Sequence, residues 1–448
     1  MANKGGTDVR VEREKYRRGR ALSARAHAAI PGGCHTYAKG DDQYPALAPP
    51  FIVRGRGCTV WDLDGNSFIE YGMGLRAVTL GHAYPRVVAA VTAALADGTN
   101  FTRPAPIEVE CAEALLAQLG WAEQVKFAKD GSTVTTAAVK LARAHTGRDL
   151  VAVCADNPFL SYNDWFFSIT PMTSGIPEAV RKLTVTFRYN DLPSVEQLFN
   201  QHPGQIAGLI LEPARAEDPA PGFLAGLKHL CERNGTVLIF DELITGFRWS
   251  RGGAAAVYGV TPHLATVGKA LANGFSLSAL VGARDIMELG GLSHARERVF
   301  LLSTTHGAET HSLAAAVATM SEYAEQPVIE TLYDRGAQLR DGVSQVARRH
   351  GLQDYFGVLG RPCNLLFFTA DESRKPSQSF RALFLQELIR HGVIAPSFVV
   401  SFSHTKQHIE RTLEAIDASL QTYAAALADG VDKFLVGPPV KPVYRKFN

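Results

Sequence analysis

Two side chains near the middle of this 448-residue sequence can do chemistry together. Asp241 ends an apolar run, Val237-Leu238-Ile239-Phe240, and Lys269 follows Gly268 after Ala265-Thr266-Val267. An amine condenses with an aldehyde, and an acid at the end of a buried strand can keep a pyridine nitrogen protonated. Pyridoxal phosphate chemistry needs that pair. A lysine held near a cationic ring and partly desolvated has a lowered pKa, which suits a nucleophile and general base. Taken singly, each residue has a plainer reading: a surface lysine, and a helix cap or satisfied core acid. Their combination with a phosphate loop favours the chemical one. Glu242, the neighbour of Asp241, points the other way by strand alternation and is expected to carry a structural bond.

Gly131-Ser132-Thr133 follows an apolar run at 125–127 and opens a helical stretch. Free backbone N–H groups and a hydroxyl at the positive end of a helix make a phosphate site, although Ser132 or Thr133 can equally be a plain N-cap. Phe159 lies past a strand end, where its ring can stack on a pyridine or belong to the core. Thr304 and Thr305 precede an alanine-rich helix and offer another phosphate donor, whereas His306 and His311 read as structural.

The elements that must position these residues follow a βαβ rhythm. Apolar runs at 125–127, 150–153, 183–185, 208–211 and 237–240 alternate with helical stretches such as 133–144 and 224–234. That predicts an α/β fold with a mostly parallel central sheet flanked by helices. Ligands of such sheets sit at the carboxyl ends of the strands, where Asp241 and Glu212-Pro213 fall. Residues 1–30 read as a helix, 51–71 as a hairpin region with a turn at Asp64-Gly65-Asn66, and 328–427 as a smaller α+β region. The expected domains are an N-terminal segment 1–75, a large cofactor-binding domain 76–325, and a C-terminal small domain with tail 326–448. The proline-bearing tail is expected to run over a surface.

The charge balance is 46 basic against 44 acidic residues, net +2, without a basic block that would suit nucleic acid or a membrane surface. No apolar stretch reaches spanning length, and no secretory segment is evident. Cys34, Cys58, Cys111, Cys154, Cys231 and Cys363 are scattered without a C-x-x-C pair, which argues against a zinc site or disulfide framework and for a reducing, cytoplasmic setting. No metal is expected. A nicotinamide dehydrogenase is disfavoured because no G-x-G-x-x-G follows the first βα strand.

Trp61-Asp62-Leu63-Asp64-Gly65-Asn66, Leu80-Gly81-His82-Ala83-Tyr84-Pro85, Asp241 through Arg248 and Gly268-Lys269 stand in the order of a known family. The chain resembles the class III (ω-type) aminotransferases of fold type I, over about residues 31–424, and within them the glutamate-1-semialdehyde aminomutase branch. The resemblance implies pyridoxal 5′-phosphate as cofactor, Lys269 as its Schiff-base lysine and Asp241 as partner of the pyridine nitrogen. It further implies Gly131, Ser132 and Thr133 at the phosphate, Phe159 on the ring and Glu212 as the strand-end glutamate. Thr305 would reach the phosphate of a neighbouring subunit, which implies an obligate homodimer with shared sites.

Departures bear on the substrate. The mutases' Ser-Pro-Val-Arg-type segment is replaced here by Gly32 to Pro45, and a loop bearing a glutamate is shortened at Phe398 to Ser401. Where the family has aromatic-His-Gly and Gly-Asn-Pro, this chain has Phe159-Leu160-Ser161 and Ala308-Glu309-Thr310. Asp41, Asp42 and Glu309 add negative charge that suits a cationic amino sugar, although acid pairs such as Asp41-Asp42 commonly make solvated turns. Segments 32–45 and 438–448 are similar to those of sugar aminotransferases of aminoglycoside-antibiotic and polysaccharide pathways. The expected reaction moves nitrogen from glutamate or glutamine to an oxo-sugar, for instance at a 6′-oxo group, with Tyr37, Asp41, Asp42 and Glu309 as substrate contacts. The alternatives are epimerisation at an amine-bearing carbon, for which Tyr37, His35 and His306 are candidate second acids, and the semialdehyde aminomutase itself. A catalytically silent relative is disfavoured by the intact Lys269 and Asp241.

Overall fold

The computed structural model describes residues 14–156 and 159–447. Its strands are β1 (Ile52–Arg56), β2 (Thr59–Asp62), β3 (Ser67–Glu70), β4 (Gln124–Ala128), β5 (Leu150–Cys154), β6 (Thr184–Phe187), β7 (Ile206–Leu211), β8 (Val237–Asp241), β9 (Leu264–Val267), β10 (Ser278–Gly282), β11 (Phe356–Leu359), β12 (Leu366–Thr369) and β13 (Val393–Ile394). They divide between two compact units. One runs to Leu75 and adds Leu80–Tyr84 and Glu330–Arg445; the other holds Arg76–Thr79 and Pro85–Ile329, with the chain end from Lys446.

The second unit is built on a seven-stranded sheet of order β4-β10-β9-β8-β7-β5-β6. Six strands run the same way, and β10 is antiparallel to both its neighbours, β4 and β9. Every residue of β7, β8, β9 and β10 is buried, which is why these strands read as unbroken apolar or small-residue runs. The helix Gly131–Thr146 lays Val134, Ala138, Leu141 and Ala142 into a core shared with Val151, Val153, Ile210 and Ile239. It comes close because the facing position is Gly208, where a Cβ would lie 3.0 Å from that of Ala142. This is the expected α/β architecture. Two strands, β9 and β10, were not among the apolar runs marked in the sequence. Leu264–Val267 and Ser278–Gly282 are short and mixed with Ser, Thr and Gly, and their strand character comes from pairing within the sheet.

The first unit carries a four-stranded sheet, β1-β2-β3-β13, with β13 parallel to β3, and the β11-β12 hairpin. The Asp-x-Asp-Gly-Asn turn is explained by Asp62, whose Oδ1 accepts from Asp64 N–H at 3.0 Å and Asn66 N–H at 2.7 Å, with Gly65 at φ 91°. Asp64 reaches back to accept from Arg18 N–H at 2.9 Å and Gly19 N–H at 3.0 Å, satisfying free donors at the start of the helix Arg17–Ala29. That helix lies within the expected 1–30; residues 1–13 fall outside the described residues.

Candidate active site

Five of the expected site positions follow the carboxyl ends of strands in the seven-stranded sheet: Gly131 after β4, Phe159 after β5, Glu212 after β7, Asp241 at the end of β8 and Lys269 after β9. The β8–β9 register sets Asp241 beside Thr266. Asp241 Oδ1 accepts from Leu243 N–H at 3.0 Å and from Thr266 Oγ1 at 3.2 Å. Its other oxygen, Oδ2, is buried and has no hydrogen-bond partner among the described residues. Burial pushes the Asp241 carboxyl up to about 6, opposed by the attraction of Lys269.

Lys269 takes a left-handed backbone, φ 45°, at the start of a short turn. Such a conformation persists in a non-glycine residue only where the surroundings enforce it. Burial lowers its ammonium pKa, with Asp241 and Glu212 working against that and Arg76 and Arg248 reinforcing it. Burial, then the charge of Asp241, raises Glu212 to about 7. Asp241, Glu212 and Lys269 thus influence one another's charge. Glu242 stands apart: its carboxylate accepts from Thr245 Oγ1 at 2.5 Å, Ala254 N–H at 2.6 Å and Ala255 N–H at 2.8 Å, the structural role expected of it.

The loop after β4 is fixed by β10, since Ser278 Oγ donates to Asp130 O at 2.7 Å. Asp130 caps the following helix: Thr133 donates to it from both its N–H and its hydroxyl, each at 2.9 Å. Thr133 is therefore turned towards Asp130, and the start of the helix is left to Gly131 and Ser132. Ser132 Oγ accepts from Tyr162 N–H at 3.0 Å, and its own hydroxyl hydrogen is still available to donate. Phe159 is 46% exposed and meets Phe166 and Phe167 edge-on at 6.0 and 6.4 Å, so it is not a core aromatic. Thr305 is exposed, and its carbonyl accepts from Asn100 Nδ2 at 2.8 Å.

The expected substrate contacts are differently placed. Tyr37 is 66% exposed on the short turn Tyr37–Lys39. Asp41 pairs with His27 at 2.9 Å and Asp42 with Arg445 at 2.7 Å, all within the first unit. Glu309, in the second unit, holds Lys129 at 2.5 Å and His306 at 2.9 Å. Each of the three carboxylates already has a side-chain partner in the chain. Arg76, Arg248, Thr266 and Asp130 were not singled out from the sequence. The only usable signal for Thr266 was its place beside the lysine turn.

The class III aminotransferase family model, "Aminotransferase class-III", matches residues 37–420. The chain is 34% identical over 428 residues to a glutamate-1-semialdehyde 2,1-aminomutase of Syntrophomonas wolfei subsp. wolfei, covering 89% of this chain and 97% of that protein. Its fold superposes on the FumI protein of Sphingopyxis sp. MTA144, solved in its PLP internal aldimine form, with TM-score 0.85, 29% identity and coverage of 92% and 98%. An omega-transaminase from Sphaerobacter thermophilus gives TM-score 0.81 at 27% identity, covering 90% and 97%. The chain belongs to the class III aminotransferases, in the branch of the semialdehyde aminomutases. It is an enzyme of aminotransferase type with pyridoxal phosphate as cofactor and small molecules as substrates. The residues fit that cofactor, because the buried Asp241 Oδ2 is an acceptor awaiting a donor such as a ring N–H. No helix among the described residues is long and apolar enough to cross a membrane, and no cluster of metal-ligating side chains occurs among them.

Proposed function

We propose that this enzyme transfers an amino group from an amino-acid donor, glutamate or glutamine, to an oxo group of a sugar in an aminoglycoside or related aminosugar pathway. The chemistry rests on one observation above all: a lysine, a buried acid with an unsatisfied oxygen, and a second raised carboxyl meet at the carboxyl edge of one sheet.

Lys269 Nζ is the covalent anchor of the cofactor and, once released, the base that carries the proton from the substrate carbon. Its lowered pKa keeps a fraction of the amine neutral and able to accept that proton. Asp241 Oδ2 accepts from the ring N–H and keeps it protonated. Gly131 and Ser132 hold the phosphate from the helix start, with Thr305 of a second copy completing the site in a homodimer, and Phe159 covers one face of the ring. Bound pyridoxal phosphate supplies an aldehyde and an electron-withdrawing ring that takes up the electron pair of the broken C–H bond.

The oxo-sugar reading draws support from the first unit. Parts of segments 32–45 and 438–448, which carry the likeness to sugar aminotransferases, meet there at Asp42, Gln43 and Lys441. Lys441 N–H donates to Asp42 O at 2.9 Å, and Gln43 Nε2 to Lys441 O at 3.0 Å. Together they line a cavity of about 910 Å³ with Lys39, Asp41, Tyr44, Glu70 and His82 on its wall. Concave sites of that size, with a few placed polar groups, suit a sugar-sized ligand. Because Asp41 and Asp42 are already paired, recognition rests more on hydrogen bonds to hydroxyls than on bare carboxylates.

The deciding experiment loads the enzyme with the amine form of the cofactor and screens oxo-sugars and oxo-acids for return of the aldehyde spectrum. Return with an oxo-sugar supports the reading. Return only with a glutamate-derived semialdehyde moves the assignment to the aminomutase, the reading that the 34% identity to such an enzyme favours.

A further inference from the structure

The cavity of the first unit has a carboxylate on its wall that differs from Asp41 and Asp42. Glu70 ends β3, and its side chain is 14% exposed, against 32% for Asp42 and 69% for Asp41. Its Oε2 accepts from His82 Nε2 at 3.0 Å, and both residues line the cavity. Among the described residues no hydrogen bond reaches the other oxygen, Oε1.

The backbone fixes both members of this pair. His82 N–H donates to Gly57 O at 2.7 Å, and Gly57 N–H donates back to His82 O at 2.8 Å. Glu70 N–H donates to Cys58 O at 2.8 Å. Two glycines leave the room that the side chains need. A Cβ at Gly55 would lie 2.7 Å from His82 Cγ, and one at Gly72 would lie 2.6 Å from Glu70 Oε1. Gly72 itself lines the cavity, so Oε1 lies against a stretch of wall that carries no side chain. An ionised carboxylate can only accept, which makes the imidazole the donor and leaves the Oε1 lone pairs unused. Partial enclosure strengthens any hydrogen bond made to that charged oxygen.

Building on the oxo-sugar reading above, we infer that Glu70 is a specificity-determining residue whose Oε1 accepts a hydrogen bond from a hydroxyl of the sugar. His82 is the positioning residue that holds the carboxylate in that direction. The cavity would accordingly favour polyhydroxylated ligands over dicarboxylates, whose charge Glu70 repels.

The test uses the cofactor-loaded enzyme and paromamine, an amino sugar of two rings, with binding read by calorimetry. Glu70→Met should weaken paromamine roughly 10- to 100-fold, with cofactor absorbance and melting temperature close to wild type. Glu70→Gln keeps an oxygen acceptor and should cost no more than about threefold. Gly72→Ala, at a backbone position outside the left-handed region, should weaken paromamine about tenfold by pushing Oε1 aside. His82→Gln retains an N–H donor and should stay near wild type, whereas His82→Leu should fall towards Glu70→Met. Glutarate, a dicarboxylate, should bind Glu70→Met at least as well as wild type, a direction that general damage to the cavity would not give. Equal paromamine affinity in Glu70→Met, with full cofactor absorbance, overturns this inference and leaves the functional reading intact. A loss as large in Glu70→Gln as in Glu70→Met also overturns it, because the ligand then reads the charge and not the acceptor. Parallel falls in melting temperature and glutarate affinity overturn it too, making Glu70 a structural residue. Failure of the wild-type enzyme to bind paromamine refutes the oxo-sugar reading itself, and this inference with it.

Discussion

The carboxyl edge of the large sheet and the 32–45 segment of the first unit treat their carboxylates in opposite ways. At the sheet edge, Asp241 is buried, raised in pKa, and keeps one oxygen without a partner among the described residues. In the 32–45 segment, Asp41 and Asp42 remain partly open to solvent, Asp41 bonded to His27 and Asp42 to Arg445. A buried, under-satisfied acid is poised to bind and polarise something the chain does not provide. A paired acid near the surface is already answered within the fold and contributes little beyond it. The difference separates an edge whose acid is left unanswered from a segment whose acids are already answered within the fold.

The strongest way to break this contrast is at the lysine. Lys269→Ala should lower turnover by at least about 10⁴-fold and abolish cofactor absorbance near the visible edge. Retention of both would remove the sheet edge from the chemistry. Asp241→Asn comes next, with a loss of roughly 10²- to 10³-fold in turnover. The same change has a second, opposite signature in the cofactor-free protein. The folded pKa of Asp241 is raised from its ordinary 3.8 to about 6. The native state therefore favours the protonated acid, and this contribution is full below about pH 4 and lost as pH rises through 6. Asn carries no such penalty, so cofactor-free Asp241→Asn should be more stable than wild type by about 3 kcal/mol at pH 8, with the gain shrinking towards pH 4. Thermal melts across that range measure it, and a pH-independent difference would mean that Asp241 is not a strained acid.

Smaller effects sharpen the comparison. Gly131→Ala places a Cβ against Leu243 Cδ1 and should cost about 1–3 kcal/mol together with roughly tenfold weaker cofactor binding, read by melts and by titration. The smallest changes belong to the other region. Asp41→Asn and Asp42→Asn weaken partly exposed contacts, to His27 and to Arg445, and should shift stability by less than about 1 kcal/mol. If either raises the KM for a polycationic sugar more than tenfold, while a neutral oxo-sugar is unaffected, the first unit reads charge after all.

Much of the sheet edge is legible in the sequence because its determinants are local. An apolar run ending in an acid, a glycine before a lysine, and a Gly-Ser-Thr helix start each announce themselves within a few residues. The α/β architecture follows from the spacing of the runs. What stays hidden depends on pairing between distant segments. The antiparallel sense of β10 is invisible in Ser278–Gly282, since direction comes from its neighbours. Thr266 joins Asp241 only through strand register. Asp42 reads as an available acid until Arg445, from the far end of the chain, is found beside it. Arg76 gives no signal of its own, because its backbone conformation is imposed at a turn whose only conspicuous residue is Gly74.

Leu243 has a consequence for how this sequence can change over time. Its branched end occupies the space where a side chain on Gly131 would go, and its Cδ2 lies 2.6 Å from where a Cβ on Gly268 would be. One leucine thus ties the helix start after β4 to the residue before Lys269. An alanine at either glycine is better accommodated in a background where position 243 has first become smaller. A smaller residue at 243, by itself, opens a void that weakens packing. The two changes are epistatic with a preferred order, so among descendants of this chain, alanine at 131 or 268 should travel with valine or alanine at 243.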